Sequence, residues 1–328
     1  MKKVSIIVPV WNVEKYLPKC LDSLVNQTLE DIEIIIVNDE SPDNSQKIID
    51  RYLKKYPHKV KALTQKNGGQ GSARNYGLEH AEGEYVGYVD SDDYIELDMY
   101  EKMYNNAKEN KFDIVFCYYN IVFENNNMIN SEKLFLKDND AKTNAFFNNV
   151  GVCNKIYKRE LLKDIKFKSK VWYEDLAFTC KVIMNAKKIG FINEGLYNYL
   201  QRDGSTMNNN NIKRNLEILD AFDDVLDYIN ENKKLDKYYS QIEFLAIYHI
   251  YIAAVVRVIN AKNVKDRKKI INTLEGYVEE KFPNYRTNKY LKYLDKNKKI
   301  IYTLISKKQY IIVRLIFVVK EVFKCLKK

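Results

Sequence analysis

Tyr85-Val-Gly-Tyr-Val-Asp-Ser-Asp-Asp93 sets an apolar run directly against three carboxylates. The apolar half, Tyr85–Val89, reads as a short buried strand, and the acids begin where that strand ends. Working back toward the N-terminus, Val4-Ser-Ile-Ile-Val8 is a second strand of this kind, closed by Pro9. Ile32–Val37 is a third, stopped by Asn38-Asp39, and Val60–Leu63 is a short fourth. Between them, Glu14–Gln27 carries Leu17, Leu21 and Leu24 at helical spacing, and Ser45–Lys55 carries Ile48, Ile49, Tyr52 and Leu53. Strands that alternate with helices build parallel βαβ units, hence an α/β fold. Open sheets of this type bind ligands beyond the carboxyl ends of their strands. Asp39 and the acids at 90–93 are therefore expected along one edge.

Glycine use supports a site there. Six of the 11 glycines fall between Gly68 and Gly87. The first three form Asn67-Gly-Gly-Gln-Gly71, ahead of a helix expected over Ser72–His80, so backbone must approach something closely. Ile114–Tyr118 reads as a further strand, whereas residues 120–149, rich in asparagine and charge, give no clear order. After about residue 205 glycine nearly disappears and long helical patterns take over. A boundary is expected near Thr206–Asn211, giving residues 1–207 and 208–328 as two domains, in keeping with a length of 328. No internal repeat is evident.

The five cysteines are scattered without a C-x-x-C pair, which argues against a zinc ribbon or a disulfide scaffold and fits a reducing, cytoplasmic compartment. No cleavable leader is read after Met1-Lys2-Lys3. The longest charge-free run, Phe244–Val256, has 13 residues against the roughly 20 a spanning helix needs, so no crossing of a membrane is expected. Charge is unevenly placed. From Tyr251 onward there are 20 Lys+Arg and 6 Asp+Glu, while the rest of the chain is slightly acidic. A basic tail on an acidic body points to a polyanionic partner, either nucleic acid or an anionic membrane surface.

Three carboxylates at one strand end repel one another unless a cation or protons compensate. A hard divalent ion shared with substrate phosphate would do so. The alternative is a polar turn, with Asp92 or Asp93 capping the next helix. Asp39 and the glycine loop with Arg74 lie close along the expected edge, and either alone is ordinary turn sequence.

Four segments together, Val4-Ser-Ile-Ile-Val-Pro-Val-Trp-Asn12, Ile34-Ile-Ile-Val-Asn-Asp39, Asn67-Gly-Gly-Gln-Gly-Ser-Ala-Arg-Asn75 and Tyr88-Val-Asp-Ser-Asp-Asp93, resemble family 2 glycosyltransferases of bacterial polysaccharide type in order and spacing. The resemblance is strong over residues 1–100 and weaker to about 207. It implies a GT-A fold, a Rossmann-like mixed sheet flanked by helices, with a C-terminal helical region appended. It implies that Asp39 binds the nucleobase of a nucleotide-sugar. Asp90 and Asp92 would be the Asp-x-Asp pair that holds Mn²⁺ or Mg²⁺ against the diphosphate. Arg74 would help close a nucleotide pocket that Pro9, Gly69 and Ser91 line. The family commonly has Asp-Gly-Ser where this chain has Asp39-Glu40-Ser41, and Glu40 is left without a role.

Trp172-Tyr-Glu-Asp-Leu-Ala-Phe178 resembles the family's Glu-Asp motif, which makes Asp175 the expected general base and Glu174 the reserve. A sugar hydroxyl is a poor nucleophile, and a positioned carboxylate takes its proton as it attacks. The same acids also suit a plain helix N-terminus. Asn198-Tyr-Leu-Gln-Arg-Asp-Gly-Ser-Thr206 resembles a segment that closes over the donor, with Arg202 on the diphosphate; a surface turn is the alternative. Lys155, in Val152-Cys-Asn-Lys-Ile-Tyr157, is a weaker candidate near the acceptor cleft. His249 lies in a helix that reads as buried and structural. No processive-synthase Gln-x-x-Arg-Trp signature is present, which favours transfer of one sugar per encounter.

The last element, Tyr310–Lys328, is helical by period. At ~100° per residue, its six charges from Arg314 onward, five of them basic, share an arc of roughly 140°, and ten of the twelve apolar residues from Ile311 to Leu326 take the opposite half. This is the pattern of a helix lying in an anionic membrane interface; docking on the protein core is the alternative. No nucleic-acid recognition motif is present. The chain is thus expected to be a metal-dependent, inverting hexosyl- or N-acetylhexosaminyl-transferase. It would use a nucleotide-sugar donor, a UDP-sugar by resemblance, and a growing glycan acceptor, as a peripheral protein of the inner membrane face. A sugar-1-phosphate nucleotidyltransferase would need a glycine-rich turn directly after the first strand, where Pro9-Val-Trp-Asn12 stands. A non-catalytic glycan-binding protein would not need the metal pair and base. A dehydrogenase would need Gly-x-Gly-x-x-Gly.

Overall fold

The computed structural model describes residues 2–124, 128–132, 135–148, 150–202, 212–261 and 264–326, with backbone alone at 128–132, 213, 234 and 320–326. It divides into two units, Met1–Asn208 and Asn209–Lys328. The segment expected to hold the domain boundary, 206–211, lies outside the described residues.

The first unit is built on β1 (Val4–Val10), β2 (Ile32–Asn38), β3 (Val60–Thr64), β4 (Tyr85–Tyr88), β5 (Tyr94–Ile95), β6 (Ile114–Phe123), β7 (Met128–Glu132), β8 (Lys155–Lys158) and β9 (Ile189–Gln201). They form one sheet in the order β3-β2-β1-β4-β8-β6-β9-β5, with β7 on β6. The first four strands in this order are parallel, and β8 runs antiparallel to both its neighbours, so the sheet is mixed as the family resemblance implies. β1 and β2 are buried along their whole length, which is why apolar residues fill both faces, with Ser5 and Glu33 hydrogen-bonded to each other between the strands. Helices α1 (Leu17–Val25), α2 (Ser45–Lys55), α3 (Gly69–Glu79), α4 (Met99–Asn110), α5 (Ala141–Phe147) and α6 (Glu174–Asn185) complete the unit.

Several boundaries differ from the sequence reading. β1 does not end before Pro9 but runs to Val10, with Pro9 opposite Val37 of β2. Its pairing with β4 stops at Ile7–Tyr88, so no ladder bond to β4 is required of the missing Pro9 N–H. β6 extends five residues beyond Tyr118 because β9, which has no clean period in sequence, pairs along it to Phe123. Within the stretch that gave no order, Asp140 caps α5 by accepting from the N–H groups of Lys142 and Thr143.

The second unit is helical: α7 (Ile212–Asn215), α8 (Glu217–Glu231), α9 (Tyr239–Ala246), α10 (Val255–Asn260), α11 (Arg267–Lys281), α12 (Lys296–Ser306) and α13 (Tyr310–Leu326), with a π-helical stretch, Ile247–Ala254, joining α9 to α10. The composite helix Leu235–Asn260 is long and apolar enough to cross a membrane, which the 13-residue charge-free run did not suggest. Of its most apolar window, 72% is buried inside the protein, the pattern of a core helix. Glu243 within it is buried and accepts from Asn288 Nδ2 at 2.6 Å.

Candidate active site

Because β1, β2 and β4 are parallel, their carboxyl ends meet at one edge. The Asp39 N–H donates to the carbonyl of Val10 at 3.0 Å, and that of Val89 to the carbonyl of Ile7 at 3.0 Å. Asp39 is 3% exposed. Its Oδ1 accepts from Gly68 N at 2.8 Å and Gln65 Nε2 at 2.7 Å, and its Oδ2 from Gly69 N at 2.8 Å. The carboxylate is thereby committed to shaping the glycine loop. Glu40, in the left-handed region (φ 56°), accepts from Asn67 N at 3.1 Å through Oε2, so the unassigned acid is a second clasp on the same loop.

The loop turns straight into α3 at Gly69, three residues before the expected start, with φ 81° at that glycine. At Gly71 a Cβ would stand 2.2 Å from the carbonyl oxygen of Lys168, so two backbones touch there. α3 then carries Arg74 inward. Arg74, expected to help close the nucleotide pocket, is 3% exposed. It donates from Nη2 to Asp90 Oδ1 at 2.8 Å and from Nη1 to Glu174 Oε1 at 2.7 Å. Its guanidinium also lies 5.5 Å from the Phe167 ring, which stacks on Phe178 at 3.7 Å. Burial disfavours the charge, but Asp90 and Glu174 more than offset it and the pKa of Arg74 is raised.

The four residues after β4 divide their roles. Asp90 meets Arg74. Ser91 is buried. Asp92 Oδ2 accepts from Arg202 Nε at 2.8 Å. Asp93, read from sequence only as a possible helix cap, instead serves β9: it is buried, and Oδ2 accepts from the Tyr197 hydroxyl at 2.6 Å and Oδ1 from Leu200 N at 2.8 Å, locking β9 to the acidic turn. Burial, then Asp92 and Asp90, hold the Asp93 carboxyl well above the usual range. Asp92 is raised by burial and by Asp90, with Arg202 opposing. Arg202 also stacks on Tyr16 at 4.9 Å. The residues that follow it in the predicted closing segment, 203–206, lie outside the described residues.

Glu174 and Asp175 open α6 just after Tyr173, whose backbone is left-handed (φ 65°). Such a conformation costs a bulky residue about 1–3 kcal/mol and turns both acids to the start of the helix. Glu174 is pushed up to about 7, by burial first and by Asp175, against Arg74. Asp175 is raised by burial, with Arg74 and the N–H of Leu176, 2.8 Å from Oδ1, opposing and Asp90 adding to the rise. Lys155 is fully buried, donates to the carbonyl of Gly151 at 2.5 Å and to Asn154 Oδ1 at 2.6 Å, and is lowered to about 7 by burial. Gln65, Tyr197 and Glu40 are the parts that sequence missed, since a lone polar residue carries no period and no motif.

No group of three metal-ligating side chains exists among the described residues. Asp90 and Asp92 nevertheless fit a hard divalent ion. They are partly open, with side chains 27% and 23% exposed, and each gives an oxygen to an arginine. Two neighbouring carboxylates at a strand end suit a hard ion that fills its shell with water and substrate phosphate.

Comparison with known proteins agrees with this geometry. The family model for glycosyl transferase family 2 matches residues 5–166. Glycosyltransferase EpsJ of Bacillus subtilis, itself uncharacterised, is 35% identical over 221 residues, 62% of each chain. Glycosyltransferase GlyG of Streptococcus pneumoniae is 34% identical over 219 residues, 62% of this chain and 72% of its own. The chain thus spans less than two thirds of EpsJ. Residues 1–349 of S. aureus TarS, crystallised with UDP-GlcNAc, share the fold with a TM-score of 0.58 at 23% identity, over 92% of this chain and 79% of that one.

Proposed function

The chain belongs to glycosyl transferase family 2, and from that premise we propose that it moves one sugar from a nucleotide-sugar, a UDP-sugar, to a hydroxyl of a growing glycan, free or lipid-linked, at the inner face of the cell membrane. The observation that carries this reading is the meeting of Asp90, from the end of β4, and Glu174, from the start of α6, on the single guanidinium of Arg74. One strand end and one helix start thereby become a shared acidic floor. The TarS fold with UDP-GlcNAc supports a uridine nucleotide as the donor.

In this reading Asp90 and Asp92 hold Mn²⁺ or Mg²⁺. When bound, such an ion neutralises the departing diphosphate. Arg202, already against Asp92, reaches diphosphate oxygens. Asp39 and Glu40 take the N–H groups of Asn67, Gly68 and Gly69 and so fix the shape of the glycine loop, Asp39 meets the nucleobase, and Pro9, Gly69 and Ser91 shape that wall. Asp175 takes the acceptor hydroxyl proton. The hydroxyl oxygen bonds to the anomeric carbon as the bond to the diphosphate oxygen breaks, with inversion. A carboxyl raised by burial is a stronger base than an exposed one, which suits this task. Residues 1–207 act as the catalytic domain and 208–328 as a basic helical region.

The test is a panel of nucleotide-sugars, with divalent metal and glycan acceptors, read by release of nucleoside diphosphate. Release from a UDP-sugar is expected; release from none would remove the proposal.

A further inference from the structure

α13 meets the rest of the second unit with the wrong side for a core helix. Two of its apolar residues, Val313 and Phe317, stand within the charged arc, and they are the ones that turn inward: Val313 is 0% exposed and Phe317 is half-buried. Its neighbours there are α10 and α12. The apolar half faces out. Ile311 is 77% exposed, and Ile312, Leu315, Ile316, Val318 and Val319 are exposed with it. The helix is fixed in this attitude at its start, where Lys308 Nζ pairs with Glu275 Oε2 and the Tyr310 hydroxyl donates to Glu275 Oε1 at 2.8 Å. Six exposed aliphatic side chains on one helix face are a contact surface rather than scattered surface residues.

We propose that this outward face is a docking surface for an anionic lipid bilayer. The proposal deepens the reading above, on which the location of the acceptor at a membrane rests, and stands physically on α13 alone. Charge selects the occupant. Residues 251–328 carry 20 Lys+Arg against 6 Asp+Glu, so a second copy of the chain would bring like charge to the same face, while acidic headgroups bring the opposite. Arg314 is exposed beside the apolar arc, and Lys320, Lys324, Lys327 and Lys328 follow in sequence. An apolar face flanked by basic residues is the composition of a helix lying in the headgroup boundary.

The experiment is co-sedimentation of the full chain with vesicles of phosphatidylcholine alone or mixed with phosphatidylglycerol, across a salt series, beside a variant carrying Ile311→Glu and Leu315→Glu. The wild type should pellet with the anionic vesicles, less so as salt rises, and the variant should bind at least about tenfold more weakly with an unchanged thermal midpoint. Three results would overturn the proposal: a wild type that ignores anionic vesicles, a variant that pellets as well as the wild type, or a variant that melts early because the face was packed. A wild-type dimer in analytical ultracentrifugation, dissolved by the variant, would give the face to a second copy and equally overturn it. Diphosphate release from soluble donor is measured in parallel. Its absence would remove the transferase reading while leaving the vesicle result intact.

Discussion

Arg74 and Glu174 lie 100 positions apart in sequence and 2.7 Å apart in the fold, Nη1–H donated to Oε1. The other arm of the same guanidinium holds Asp90, so the carboxylate at the end of β4 and the first turn of α6 share one cation. Arg74→Lys tests this sharing. A lysine is a point charge and cannot hold both partners with a planar fork. Transfer should fall about tenfold or more and the thermal midpoint should drop, because one buried acid loses its partner. Wild-type turnover in the lysine variant would show that the bridge is incidental.

Asp92→Asn keeps the shape of the acidic turn and removes one hard oxygen charge. Donor binding should weaken and turnover vanish. Chelation of the wild type should do the same, reversed by Mn²⁺ or Mg²⁺. Full activity in EDTA would remove the metal from the mechanism.

Asp175→Asn should leave UDP affinity near the wild-type value and lower transfer by about 10²-fold or more. Because burial raises the Asp175 carboxyl, and the base works deprotonated, transfer should rise with pH through a limb displaced above the ordinary aspartate range. Persistence of transfer in this variant, with loss in Glu174→Gln, would move the role to Glu174.

The parallel half of the sheet was legible because β1, β2 and β4 are buried and read as short, dominantly apolar runs, broken within the runs only by Ser5 and Glu33. α2 matched its expected span because both its faces carry clear helical periodicity. β9 was not legible: its middle, Asn193-Glu194, is exposed, and its length follows from pairing with β6. The acids of the site announced themselves by motif, but their partners did not. That Arg74 is buried between two carboxylates, and that Asp93 serves β9, follow from contacts across 100 and 104 positions that no local pattern encodes.

His249, read from sequence as structural, carries an acid-stability signature. Burial, with Arg257 and Lys298 nearby, lowers its imidazole to about 4, against about 6.5 unfolded. Between those values the unfolded chain binds a proton that the folded chain refuses, so stability is whole above about pH 6.5 and is lost as pH falls toward 4. The loss should amount to a few kcal/mol, about 2–3 by linkage. In His249→Gln the urea midpoint of the helical unit should change less over this range. A parallel decline in both proteins would place the acid sensitivity elsewhere.

Two glycine-to-alanine changes should move stability in opposite directions, and their contrast tests the close backbone approach behind the site. At Gly71 the new methyl would lie 2.2 Å from the Lys168 carbonyl oxygen, a backbone atom that cannot rotate away. Moving the chains apart should cost about 1–3 kcal/mol, as overpacking does, and should weaken donor binding because Gly71 opens α3 directly after the loop that Asp39 clasps. At Gly276, inside α11, nothing lies within 4 Å of the new methyl. There alanine only removes glycine's excess unfolded freedom, and the protein should gain about 0.5–1 kcal/mol with donor binding untouched. Thermal and urea unfolding of both variants measure the pair. A Gly71→Ala protein as stable as the wild type would mean that the loop does not rest on the backbone at Lys168, and the positioning of Arg74 by α3 would then need another cause.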